Sequence, residues 1–190
     1  MVAVERRGVR GMDRDALERM RRGRLIAIDG IDLSAVRAAA RETTRRIGAP
    51  RCGVSHWDAS GVFHELALED GAASPRTLLL LYAADLAFRV RWEIAPALAE
   101  GRTVVAAPYV ATATAFGRAV GLPPAWLANL LQFAPRHTEA RIVEADRTTL
   151  TRATGFLDVA CERWAEPAGL NRATLTREMA RHLRRRRARR

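Results

Sequence analysis

The chain has 190 residues, 48% of them hydrophobic, and 32 basic residues against 21 acidic ones give it a formal net charge of +11. That length supports one domain whose core needs neither disulfides nor a structural metal. The two cysteines, Cys52 and Cys161, form no CxxC pattern, which argues against a disulfide framework or a common zinc site. No window approaches about 18 consecutive apolar residues and the N-terminus has no apolar signal segment, so a soluble cytoplasmic protein without a transmembrane segment is expected.

The positive charge is concentrated at the two ends. Residues 1–24 carry eight arginines and four acids, residues 181–190 ("RHLRRRRARR") carry seven arginines and no acid, and residues 25–180 carry seventeen of each. No lysine occurs anywhere, so any mechanism that needs one is excluded. The composition divides the chain into a basic arm or short helix (1–24), a neutral body (25–180) and an arginine-rich tail (181–190).

In chain order, "MDRDALERMRRGR" suits a short helix, acidic at its start and basic at its finish. "LIAID", 25–29, is a continuous apolar run, the pattern of a buried parallel strand. "LSAVRAAARETTRRIG" reads as a helix closed by Gly48 and Pro50. "RCGVSHW" suggests a short strand, followed by an amphipathic turn through Phe63, Leu66 and Leu68. Residues 76–100 read as a long helix, apolar on more than one face, which Pro96 bends or ends and Gly101 stops. "RTVVAA", 102–107, is a second parallel strand, residues 123–134 a helix opened by Pro123 and Pro124, and 139–146 a more polar strand. Helices over 148–164 and 171–185 complete the chain. Alternating strands and helices predict an α/β fold with a central parallel sheet flanked by helices.

The segment "GIDLSAVRAA", 30–39, follows the first strand where a phosphate-binding loop would sit. "LIAIDGIDLSA" resembles the opening strand and P-loop of the thymidylate kinase family, which reads Glu/Asp-Gly-Ile-Asp-Gly-Ser-Gly-Lys-Ser/Thr. "LLLLYAADLAFRV", 78–90, is similar to the family's Leu-rich helix with its Ala-Ala-Asp-Arg-Ala-Gln-His stretch. "IAPALAEGRTVVAAPYV" resembles the approach to the family's Asp-Arg-Tyr, and "ATATAFGRAVGLPPAWLANLLQFA" keeps the family's rhythm. The likeness runs in order from about residue 24 to 147 and implies a three-layer P-loop NTPase-like fold and a homodimer through the helix 76–98.

The departures fall on the positions that the resemblance marks as functional. A working P-loop wraps phosphate oxygens in backbone N–H groups, and its glycines permit that approach. Leu33 and Ala35 stand where the family has glycine, Val36 where it has the phosphate-bridging lysine, and Arg37 where a hydroxyl ligates magnesium. Gly30, Ile31, Asp32 and Ser34 remain, the residues that shape the turn, and Asp32 without a lysine would repel a polyphosphate. Asp-Arg-Tyr becomes Ala107, Pro108 and Tyr109. Leu86 replaces the arginine of Ala-Ala-Asp-Arg, and Gly117 the glutamine of a later Tyr-Gln.

Phosphoryl transfer is almost wholly positioning and charge stabilisation, so the expectation is a family member without ATP binding, catalytic residues, cofactor or metal, retained as a dimeric binding or scaffolding protein. The alternative is a divergent nucleoside monophosphate kinase of the ATP:dTMP phosphotransferase type, in which Arg37 and Ser34 improvise the donor site. Arg37 otherwise reads as an exposed helix residue.

Other candidates are weaker. Cys52, His56 and His64 match no standard metal spacing, and Ser55, His56 and Asp58 are sequence neighbours, which is not how triads are recognised. His137 and His182 are isolated. Trp57, Trp92, Trp126 and Trp164 form no stripe and read as core or interface residues. In the tail, Arg184, Arg185, Arg186, Arg187, Arg189 and Arg190 suit an acidic protein, nucleic acid or an anionic surface. Without interleaved aromatics, base stacking is not expected. A nucleic-acid-associated protein acting through this tail is the third reading.

Overall fold

In a computed structural model, residues 23–48, 52–57, 74–144 and 172–187 are described. Four parallel strands form the sheet: β1 (Arg24–Gly30), β2 (Cys52–His56), β3 (Thr103–Ala107) and β4 (Glu139–Val143), in the order β2-β3-β1-β4. The register sets Ala27 beside Ala106 and Ala106 beside Ser55, and pairs His56 with Ala107. Six of the seven β1 residues are buried, as a strand covered on both faces requires.

Helix α1 (Leu33–Ile47) packs on one face of the sheet. Its buried stripe, Leu33, Val36, Ala39, Ala40 and Thr43, follows helical spacing. Val36, Ala39 and Ala40 meet Ile26, Ile28, Val105 and Ala107 there. The chain leaves α1 through Gly48 at φ +85°, a left-handed conformation that glycine takes without strain.

The other face carries the larger core. Helix α2 (Pro75–Arg89) continues through a π-helical turn (Val90–Ile94) into α3 (Ala95–Ala99). Pro96 cannot donate a backbone hydrogen bond, and just before it the Ala95 N–H reaches back to the Val90 carbonyl, so the helix absorbs the proline in a wider turn. Helix α4 (Val110–Ala119), α5 (Pro124–Leu130, with proline in its first turn) and α6 (Arg172–Arg187) complete the layer. Leu79, Tyr82, Leu86, Phe116, Leu127 and Met179 are at its centre.

The expected strands and the helices after "LIAID", at 76–100, at 123–134 and at 171–185 are present within a few residues. Helix α4 was not among the expected elements. The strand proposed to run to 146 ends at Val143, and the 123–134 helix ends at Leu130. The boundary drawn at 180/181 falls inside α6, whose Leu183 is buried, so the arginine run begins on a packed helix. Residues 1–22, the turn through Phe63, Leu66 and Leu68, the 148–164 helix, Cys161, Trp164, Arg189 and Arg190 lie outside the described residues, as do the side chains of Arg186 and Arg187. No described helix is long and apolar enough to cross a membrane.

Candidate functional site

In open α/β sheets ligands bind beyond the carboxyl ends of the strands, here formed by Gly30, His56, Ala107 and Val143. Only Ile31 and Asp32 separate β1 from α1. Asp32 is the N-cap: its Oδ1 accepts hydrogen bonds from Ser34 N (2.8 Å), Ala35 N (3.2 Å) and Ser34 Oγ (2.7 Å), and its carbonyl accepts one from Val36 N at 2.9 Å. Three amides at the start of α1 are therefore satisfied by the chain itself, two of them by a carboxylate.

Val36 packs inward against the sheet beside the loop. Val36 is 1% exposed, and a Cβ added to Gly30 would come within 2.8 Å of Val36 Cγ2. Burying a valine stabilises by about 1.5–3 kcal/mol, so this position contributes to the core. Leu33 is also buried, while Ser34 and Arg37 are exposed.

The neighbouring strand ends are built around Asp29, a 2% exposed carboxylate at the end of β1. Its Oδ1 accepts from Tyr109 N (2.8 Å), Thr112 N (2.9 Å) and Thr112 Oγ (2.8 Å), and its Oδ2 from Ala111 N (3.2 Å). Helix α4 has no side-chain cap of its own; Asp29 supplies the acceptors and a negative charge at the positive end of the helix dipole. Tyr109 lies behind a cis Ala107–Pro108 peptide. Its hydroxyl donates to the Pro135 carbonyl at 2.6 Å, and its own carbonyl accepts from Tyr82 Oη at 2.7 Å. Burial raises the pKa of both phenols, so both stay protonated hydrogen-bond donors.

Arg89 enters beside Pro108. It is 1% exposed, its Nε donates to Asp85 Oδ2 at 2.7 Å, and its Nη1 donates to the Pro108 carbonyl at 3.2 Å. Its Nη2 is buried without a hydrogen-bond partner, as are Ser55 Oγ and His56 Nδ1 on the neighbouring strand end. Such orphans are uncommon in folded proteins. Burial pushes the His56 pKa down, Arg37, Arg89 and Arg41 push it the same way, and the Ala107 backbone opposes them. His56 is thus held toward its neutral form.

The structure brings Gly30, Asp32, Ala107, Pro108 and Tyr109 together at the strand ends. Leu86 is in the core at 0% exposure. At Gly117 an added Cβ would lie 2.4 Å from Leu127 Cδ2, so a glutamine there needs Leu127 to move. Among the described residues no group of three or more His, Cys, Asp or Glu side chains is arranged to hold a metal ion. Cys52 is a free thiol whose pKa burial raises. Sequence reasoning missed Asp29 and Arg89; the available signal for Arg89 was an Asp–Arg pair one turn apart on an otherwise apolar helix.

No protein-family model matches the chain. Among curated proteins it is similar to a "Probable thymidylate kinase" of Pyrobaculum calidifontis, 31% identical over 125 residues, 64% of each chain. A second "Probable thymidylate kinase", of Pyrococcus horikoshii, is 36% identical over 75 residues, 40% of this chain and 37% of that protein. The chain thus spans less than two thirds of the length of either relative. A solved thymidylate kinase from Ehrlichia chaffeensis superposes with a TM-score of 0.55 at 17% identity, over 74% of this chain and 88% of that one. The chain therefore has the P-loop NTPase-like α/β fold, and it is similar in sequence to proteins named as thymidylate kinases.

Proposed function

We propose that this chain is a thymidylate-kinase-like cytoplasmic protein that has lost ATP binding and phosphoryl transfer and acts as a dimeric binding or scaffolding protein. The observation that carries this reading is the self-satisfied loop. Asp32 holds the amides of Ser34 and Ala35, and Val36 is buried in the core where the resemblance implies a lysine. A polyphosphate would have to displace a carboxylate and meet no lysine. One transition-state arginine alone can be worth about 10³ or more in rate, and Pro108 and Leu86 stand where two arginines are implied.

The outer face of α2 and the π turn supports the dimer. Leu80, Phe88 and Trp92 are 52%, 54% and 64% exposed, with the Phe88 and Trp92 rings 6.4 Å apart. Large apolar side chains grouped on one helix face call for a partner surface. The arginines that close α6 and continue to residue 190 are the proposed contact to an acidic protein or polyanion.

A second reading, a divergent nucleoside monophosphate kinase, draws on Arg89. Its guanidinium reaches the Pro108 carbonyl, beside the position where the resemblance implies an arginine. A phosphoryl-transfer assay with magnesium-ATP and thymidine monophosphate separates the two. The proposed function predicts no ADP above a no-protein control, whereas turnover that Arg89→Met abolishes would establish the second.

A further inference from the structure

Helices α4, α5 and α6 line a half-open pocket of about 400 Å³. Its floor is apolar, formed by the buried Ala111, Ala115, Leu127, Leu131 and Leu183. Its rim is basic, with Arg118 from the last turn of α4 and His182 and Arg185 from α6. Neither Arg118 nor Arg185 has an acidic partner among the described ion pairs, and Glu178, the acid near His182, is paired with Arg181. Burial lowers the His182 pKa, and Arg118, Arg181 and Arg185 add to the effect, so His182 adds a neutral hydrogen-bonding group to the lining that Arg118 and Arg185 share. None of residues 30–37, Ser55, His56 or Arg89 lines the cavity, which separates it from the strand-end cleft.

Two cations with no counter-ion among the described residues, at the mouth of an apolar pocket, are complemented by a ligand that is apolar at one end and anionic at the other. The volume lies in the range of about 300–1,000 Å³ that small-molecule sites occupy. A protein partner would need about 800 Å² of surface on each side, far more than this cavity offers. Guanidinium groups pair bidentately with the oxygens of a carboxylate or a phosphate alike, and the carboxylate is the smaller head group of the two.

We propose that the cavity between α4, α5 and α6 binds a small amphiphilic carboxylate, its aliphatic chain on the Ala115–Leu127–Leu183 floor and its head group at Arg118 and Arg185. Such a ligand joins the arginine-bearing helix to the body of the domain.

The test is calorimetric titration of decanoate, kept below its micelle concentration, into the full chain. Decanol serves as the probe without charge and acetate as the probe without a chain. Saturable one-to-one binding of decanoate is expected, with decanol about tenfold or more weaker and acetate silent. Arg118→Ser should weaken decanoate about tenfold. Ala128→Trp, an exposed position at the cavity edge, should block it with the circular dichroism spectrum unchanged. The proposal is overturned if decanoate does not saturate the unmodified protein, if decanol binds equally well, or if neither substitution changes the affinity.

Discussion

Asp29→Ala is the substitution whose cost the structure defines most completely. The carboxylate accepts four hydrogen bonds from the start of α4 and the residue before it, and it is 2% exposed. Alanine leaves three backbone N–H groups without an acceptor, at about 1–3 kcal/mol for each buried donor, less where water enters the space vacated. A net loss of about 3–5 kcal/mol follows, a large part of the roughly 5–15 kcal/mol that holds a domain folded. Near 190 residues each kcal/mol shifts the melting temperature by about 2–4 °C, so a fall of about 6–20 °C is expected. Asp29→Asn keeps the oxygen that takes three of the bonds but turns an amide donor toward Ala111 N, so it should lose about 1–3 kcal/mol. Urea unfolding followed by circular dichroism measures both. A loss below about 1 kcal/mol for Asp29→Ala would refute the assignment of Asp29 as the cap that joins β1 to α4.

Three further outcomes are expected. Val36→Lys should not restore ATP binding, because Asp32 still holds the loop amides; it should destabilise the fold by more than about 2 kcal/mol by placing an unpaired charge against Ile26, Ile28 and Val105, which chemical denaturation reads directly. Because the His56 pKa is lowered on folding, the unfolded chain binds the proton more readily and stability falls as pH drops below about 6.5; His56→Gln should flatten that part of a melting-temperature profile. Phe88→Asp combined with Trp92→Arg should convert the proposed dimer to a monomer in sedimentation velocity while leaving the circular dichroism spectrum unchanged.

How much of this was legible in the sequence follows from how local each signal is. The apolar run before Gly30 and the helical spacing of Leu33, Val36, Ala39 and Ala40 carry β1 and α1 on their own. Helix α4 does not announce itself, because β-branched Val110, Thr112 and Thr114 alternate along its first half in strand-like fashion and its cap comes from Asp29, about eighty positions earlier. The same distance hid the role of Asp29. The departures at Leu33, Ala35 and Val36 were legible, and Asp32 read as a turn residue and as a charge that repels phosphate. Its further role as a helix cap depends on the short β1–α1 connection. Arg89 was obscured by the apolar helix around it: its pairing with Asp85 is local to α2, but the Pro108 carbonyl meets it only when α2 packs beside the end of β3.

The central claim is that the loop between β1 and α1 no longer accepts a nucleotide. Calorimetric titration of magnesium-ATP into the full chain, with and without thymidine monophosphate and at salt high enough to screen the arginine tail, tests it most directly. The account predicts no saturable, magnesium-dependent heat at high protein concentration. Saturable binding that Arg37→Ala abolishes would contradict it, and would mean that the amides held by Asp32 are released to a phosphate.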